Sequence, residues 1–370
     1  MKNFTKRFYQ KRMKKNKLKI AQIAPCWYPI PPEKYGGIER IVFLLSKELK
    51  KLGHQVTLFA PGGSKVSTKL VKVFPKSLTK MGFPWTENVL NLESLLLAIK
   101  KEGRFDILHS HLDYLTLFFQ DLTKTPILQT FHNPMEEKRL SSKSFLYKLH
   151  QKNVLGTFIS KNQKKNCPFK FKKSWVVYNG IDIPKFNFNS KPEDYFLWVG
   201  RLDPYKGVEN AIKVARILGI KLFLAGKIDP RRKDYFKSKI RPYLSKKIQY
   251  LGELPQKELN EVYQNAKACF YPIEWEEPFG LIMLESMACG APVIAFKKGS
   301  VPEIVEDGKT GYVVPFFDER REKNIKGLIE AVKKIEMIKR ENCRKRVEKF
   351  FTGQIMAKNY EKIYFEILKK

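Results

Sequence analysis

Glu277–Ala295 reads EPFGLIMLESMACGAPVIA, with two carboxylates, Glu277 and Glu285, on either side of a structure break and the start of an apolar run. Pro278 and Gly280 interrupt regular structure, and the spacing predicts a helix that begins near Gly280 or Leu281. Glu277 then lies in the loop before the helix, and Glu285 lies about one turn inside it. The backbone N–H groups of Phe279, Gly280 and Leu281 have no carbonyl a turn earlier to bond, so they point out between the two carboxylates as an anion cradle. A carboxylate, a phosphate cradle and a second carboxylate in one line suit a sugar, a diphosphate and a ribose.

On either side of this stretch the chain alternates strands and helices. Strand candidates are Leu18–Ala24, Gln55–Ala60, Asp106–His109, Pro126–Thr130 and Trp175–Tyr178, with helices expected over Gly37–Leu52 and Val89–Lys101. After a linker-like Ile183–Asp194, a second series follows: strands Tyr195–Val199, Lys221–Ala225, Ile248–Leu251, Ala268–Pro272, Pro292–Ala295 and Gly311–Val314. A helix ends at Leu218, helical pattern resumes near Asn324, and a last helix runs over Gln354–Leu368. Such alternation predicts an α/β protein with parallel sheets. Ligands of open α/β sheets bind beyond the carboxyl ends of the strands. Gly36–Gly37, His109, His132, Gly200–Arg201, Gly226, Gly252 and Glu277 all fall at such ends, which places the ligands in a cleft between two halves.

With 370 residues and 43% apolar content, the chain suits two globular domains. No apolar run reaches transmembrane length. Five scattered cysteines without a C-x-x-C pair, and five histidines without metal-ligand spacing, argue against a disulfide framework or a structural zinc site and for a reducing cytoplasm. The formal charge is +34, and nine basic residues with no acid fall within Met1–Lys19. Solvated lysines, an anionic membrane surface, anionic nucleotides and nucleic acid all fit this charge; no nucleic-acid-binding motif accompanies it. The basic tail, residues 1–16, lacks the apolar segment of a secretory signal. Its Phe4, Phe8, Tyr9 and Met13 fit one face of an interfacial helix, and a disordered tail fits equally.

GRLDPYKG sets Arg201 and Lys206 after a strand, where two cations opposite a helix N-terminus make a diphosphate clamp. Gly36–Gly37 allow close backbone approach to a ligand but are not part of a G-x-G-x-x-G fingerprint. His132 is the histidine best placed for a role in the cleft; His109 and His111 are weaker candidates, and His54 reads as structural. Glu277 and Glu285 also fit helix-start carboxylates or the paired acids of a glycosidase, but a hydrolase needs no cationic clamp.

Taken together, PPEKYGGIERIVFLLSKELKKLGHQVTLFAP, TFHN, NGID, VGRLDPYKG and EPFGLIMLESMACGAPVIAFKKGSVPEIVEDGKTGYVV resemble a family 4 glycosyltransferase, from Lys17 onward. The resemblance implies the GT-B fold: two Rossmann-like domains whose parallel sheets face a central cleft. The acceptor domain would span 17–185, joined by the C-terminal helix 354–370, and the donor domain 190–350. It implies a retaining, metal-independent transferase that moves a hexose from a nucleotide-sugar by front-face attack, with no cofactor. Arg201 and Lys206 would bind the diphosphate, Glu277 the donor sugar, and Phe279, Gly280 and Leu281 the sugar or phosphate. Glu285 would bind the ribose, Gly37 would approach the phosphates, and His132 would sit by the reacting sugar. The context favours a UDP-sugar over a GDP- or ADP-sugar. The acceptor stays open among lipid, glycan and small molecule, as does peripheral contact at the inner membrane surface. A sugar-nucleotide epimerase or hydrolase of the same fold, and a non-catalytic protein that binds anionic surfaces or nucleic acid, remain as alternatives.

Overall fold

The computed structural model describes residues 17–34, 36–84, 88–135 and 141–369; the tail face of Phe4, Phe8, Tyr9 and Met13 lies outside them. Among the described residues thirteen strands form two wholly parallel sheets. In the first, β1 (Lys19–Ile23), β2 (Gln55–Ala60), β3 (Lys69–Lys72), β4 (Ile107–Ser110), β5 (Ile127–Phe131), β6 (Leu155–Phe158) and β7 (Lys173–Val176) run in the order β3-β2-β1-β4-β5-β6-β7. In the second, β8 (Phe196–Val199), β9 (Leu222–Ala225), β10 (Ile248–Tyr250), β11 (Ala268–Tyr271), β12 (Val293–Phe296) and β13 (Gly311–Val314) run in the order β10-β9-β8-β11-β12-β13. In the second sheet FLWV of β8 and VIAF of β12 are apolar and buried at every position, as helices on both faces of a parallel sheet require.

Helix α1 (Gly37–Lys51) shows how one helix is specified. Ile41, Val42, Leu44, Leu45 and Leu49 form its buried stripe, and Lys50 and Lys51 complement the dipole at its end. In the second unit, α2 (Val208–Leu218) follows β8, α3 (Leu281–Ala288) follows β11, and α4 (Arg340–Phe350) packs against α3. The last helix, α5 (Gly353–Leu368), returns to the first sheet. Its Met356, Ala357, Tyr360, Ile363 and Tyr364 share a core with Leu18, Ile20, Ile41, Leu45 and Leu49.

The chain passes between the two sheets twice, and the passages lie side by side. Ile181 N–H donates to Phe351 O at 2.9 Å, and Gly353 N–H donates to Ile181 O at 3.1 Å. Lys47 of α1 adds an ion pair to Asp182 at 2.8 Å.

Sequence and structure differ in detail. The expected helix Val89–Lys101 is a 3-10 turn, Val89–Asn91, leading into a helix over Leu92–Ile99. Strands β3 and β6 were not expected.

Candidate active site

A cleft of about 670 Å³ lies between the carboxyl edges of the two sheets. Its second-unit wall is built around the start of α3. Gly280 adopts φ 81, and a Cβ there would come within 2.7 Å of the Tyr271 hydroxyl and 2.8 Å of Met283 Cε, so only glycine fits this N-cap. The turn Pro204–Lys206 is set by Gly207 in the same way. At φ 70, its Cβ would lie 1.8 Å from Pro272 O, so the turn sits directly on the end of β11.

This places Lys206 Nζ against Glu277 Oε2 as an ion pair and 4.7 Å from the centre of the Trp275 ring. The Trp275 indole N–H also donates to Glu277 Oε2 at 3.1 Å. Arg201 follows β8 and approaches Asp203 at 3.6 Å. Glu285 is buried inside α3, where the Tyr263 hydroxyl donates to it at 3.2 Å. Arg40 of α1 reaches across from the first unit to within 3.6 Å of its other oxygen. Burial raises the Glu285 pKa, and Arg40 opposes that rise.

The first-unit wall carries the start of α1. A Cβ on Gly37 would lie 4.0 Å from Leu281 Cδ1, so the N-termini of α1 and α3 face each other across the cleft. Gly37, His132, Arg201, Lys206, Glu277, Phe279, Gly280, Leu281 and Glu285 all line this one cavity. The Phe279 side chain itself is buried, beside Tyr178 and Phe351, leaving its backbone to the cleft.

His109 does not reach the cleft and belongs to a buried relay beneath it. His132 bonds His111 at 2.9 Å (Nε2 to Nδ1), and His111 Nε2 bonds Gln22 Oε1 at 2.9 Å. Gln22 Nε2 faces His109 Nδ1 at 3.2 Å and the Tyr364 hydroxyl of α5 at 3.1 Å. His109 Nε2 bonds Thr130 at 2.7 Å, and Thr130 meets Tyr360 of α5 at 2.9 Å. Because the amide presents its oxygen to His111, His111 donates from Nε2 and accepts at Nδ1 from His132 Nε2–H. His132 Nδ1 then keeps a lone pair. Burial, with neighbouring imidazoles adding to it for His109 and His111, keeps the three rings neutral. The pKa of His109 falls to about 3, that of His132 to about 4 against the pull of Asp113, and that of His111 well below its ordinary value. His54, read as structural, accepts from Leu18 N–H at 3.2 Å and pairs with Glu361 at 3.0 Å.

Among the cleft residues that the sequence did not single out, three bear most on the site. Arg40 is one. Asp113 adopts φ 52, the sole positive φ at a non-glycine among the described residues. That strain is held by Tyr147 O–H, Lys143 and Asn133 on its carboxylate and by Gln129 on its carbonyl. Glu39, in the first turn of α1, is buried, and its Oε1 finds no partner among the described residues. Their signals, an acid and a base after GGI and an acid after HSHL, were too short to stand out.

Burial raises the Glu39 pKa to about 7. The folded protein keeps that proton to about pH 7, while the unfolded chain releases it near 4.5. Glu39 therefore costs stability as pH rises through that window. Glu39→Gln is expected to exceed wild type in stability by up to about 3 kcal/mol near pH 8 and to match it below about pH 4. Urea unfolding at both pH values checks this, and a difference independent of pH refutes it.

The family profile of group 1 glycosyl transferases matches residues 181–349, and that of glycosyltransferase family 4 matches residues 35–185. Phosphatidyl-myo-inositol mannosyltransferase of Mycolicibacterium smegmatis is 24% identical over 326 residues, covering 81% of this chain and 82% of its own. Sucrose-phosphate synthase of Thermosynechococcus elongatus has the same fold, with a TM-score of 0.77 and 20% identity over 95% of this chain and 99% of its own. So does an Anabaena protein solved in complex with UDP-glucose, with a TM-score of 0.72 and 16% identity over 94% of this chain and 100% of its own.

Proposed function

The chain belongs to the family 4 glycosyltransferases, and on that premise we propose that it transfers a hexose from a UDP-sugar with retention of configuration and without a metal. The observation that carries this reading is the convergence of Arg201, Lys206 and two opposed helix N-termini on one cavity with a carboxylate at either end. The diphosphate lies against Arg201, Lys206 and the N–H groups of Phe279–Leu281, with Gly37 approaching from the other wall. Glu285 accepts from the ribose hydroxyls, and Glu277 from those of the sugar. The choice of UDP draws on the Anabaena protein of the same fold.

In the reaction the bond from the sugar C1 to the β-phosphate oxygen breaks, and the acceptor oxygen bonds C1 on the same face. The acceptor proton passes to the departing phosphate. Negative charge grows on that phosphate as the bond stretches, and the two cations and the α3 N-terminus stabilise it where it forms. His132, with its Nδ1 lone pair, orients the reacting sugar. Glu277 and Lys206 already hold one another, so the diphosphate draws Lys206 partly away from its carboxylate.

Thermal unfolding with UDP, GDP and ADP tests the donor site. UDP at about 100 times its Kd is expected to stabilise the protein by about 2.7 kcal/mol, with smaller shifts from the other two. Equal shifts from all three overturn the assignment to UDP, and no shift from any nucleotide overturns the site. Donor turnover is expected to survive EDTA; loss that added Mg²⁺ or Mn²⁺ restores would refute the metal-free mechanism.

A further inference from the structure

We propose that the outer face formed by the helix Ser142–His150 and the turns beside it docks on an anionic lipid bilayer. The helix buries Ser144 and Tyr147 and turns Phe145 and Leu149 outward, 67% and 64% exposed. The adjoining segment Asp113–Phe119 and the turn after it expose Phe118 at 47% and Leu122 at 67%. Asn153 Nδ2 donates to both carboxylate oxygens of Asp121 at 2.9 Å, which fastens the end of the helical segment to the turn that carries Leu122. Single exposed apolar side chains are ordinary, but four large ones on two touching elements form a patch that marks an interaction site.

Lysines fringe this patch. Lys148 and Lys152 are exposed on the helix and just beyond it, and Lys124 is exposed after Leu122. The backbone N–H groups of Lys170 and Lys172 donate to the side-chain and main-chain oxygens of Gln151 at 2.8 and 3.1 Å, which sets two more exposed lysines at the helix end. Asp121, the acid next to Leu122, is held by Asn153.

Bulky apolar side chains ringed by cations match the boundary between acyl chains and acidic headgroups. A second copy of this chain matches poorly, since it would bring one lysine ring against another within a molecule of net charge +34. The N-terminal turn of the same helix places Lys143 in the cleft wall, 2.5 Å from Asp113. Docking on this face therefore sets the cleft mouth beside the bilayer. As an acceptor route this rests on the transferase reading above; the docking itself does not.

Sedimentation of the full chain with vesicles of phosphatidylcholine, with and without about 30% phosphatidylglycerol, tests the proposal in the absence of any nucleotide. Wild type is expected to partition at least about tenfold more strongly onto the anionic vesicles. The F145D/L149D variant is expected to lose at least about tenfold of that partitioning. K148E/K152E should lose the preference for anionic lipid. The melting shift with UDP should be unchanged in both variants, which separates failure of docking from failure of the donor site and from misfolding. Binding of F145D/L149D equal to wild type overturns the proposal and moves membrane contact to the basic tail. Absence of wild-type binding overturns it outright. So does a wild-type dimer by light scattering that F145D/L149D dissociates.

Discussion

Lys206→Ala is expected to lower donor kcat/KM by roughly 10- to 150-fold, the equivalent of a charge-assisted contact worth about 1.5–3 kcal/mol. In the proposed reaction the charge that Lys206 faces grows as the leaving phosphate departs, so much of the loss should appear in kcat as well as in donor KM. The structure adds a second consequence. Lys206 and Glu277 form one ion pair in the cleft wall, so removing the lysine also frees the carboxylate beside the incoming diphosphate. Pairs that act as a unit are not additive, and Lys206→Ala/Glu277→Gln should be little worse than Lys206→Ala alone. Steady-state release of the nucleoside diphosphate measures both effects. A Lys206→Ala enzyme with wild-type kcat and donor KM would remove the clamp from the mechanism.

Gln22→Leu is expected to have the largest effect away from the donor. Its amide hydrogen-bonds His111 on one side and meets His109 and Tyr364 on the other. Leucine has similar volume but leaves the His111 Nε2–H without its acceptor in the core, and an unpaired buried donor is costly. The expected loss is about 2–4 kcal/mol, which lowers Tm by roughly 5–15 °C. Activity should fall as well, because His111 is then free to exchange tautomers and turn His132 Nδ1 from acceptor to donor. In the proposed donor pose that change lies beside the reacting sugar, so kcat should drop at temperatures where the variant is folded, with donor KM little altered. Nitrogen-15 spectra of the histidine rings report the tautomers directly. An unchanged tautomer pattern with wild-type kcat refutes the positioning role of Gln22, whatever happens to Tm.

Much of the architecture was legible because local pattern and tertiary role agreed. β2 and β13 lie at their expected ends, Gln55–Ala60 and Gly311–Val314, since apolar runs bounded by turn residues carry their own limits. β3 was not, because this four-residue edge strand, KLVK, is nowhere fully buried and shows no apolar run. β6 was hidden by Gly156. That glycine reads as a strand breaker, yet a Cβ there would come within 2.6 Å of the Phe131 ring, so packing demands it.

The same division holds for the cleft. Glu277, Glu285, Arg201 and Lys206 stand in short motifs whose spacing has chemical meaning. Arg40, Asp113 and Gln22 acquire theirs from partners remote in sequence: Arg40 from Glu285, Asp113 from Tyr147, and Gln22 from Tyr364. His109 sits at a strand end, as a ligand-binding residue would, but faces α5 across the relay. Nothing short of the last helix reveals that.

The return of α5 to the first sheet also sets an order of assembly. A ribosome completes residues 19–176, with every strand of the first sheet, long before it makes Met356–Tyr364. Until then Leu18, Ile20, Ile41 and Leu45 lack one side of their core, and Gln22 and His109 lack the tyrosine hydroxyl that both of them meet. The second unit holds all six of its strands within 196–314 and its covering helices end at Phe350, ahead of α5, so it can close its own core first. The half of the molecule that is translated first is therefore the half that is finished last, and a chain cut short before residue 353 would leave it unsealed.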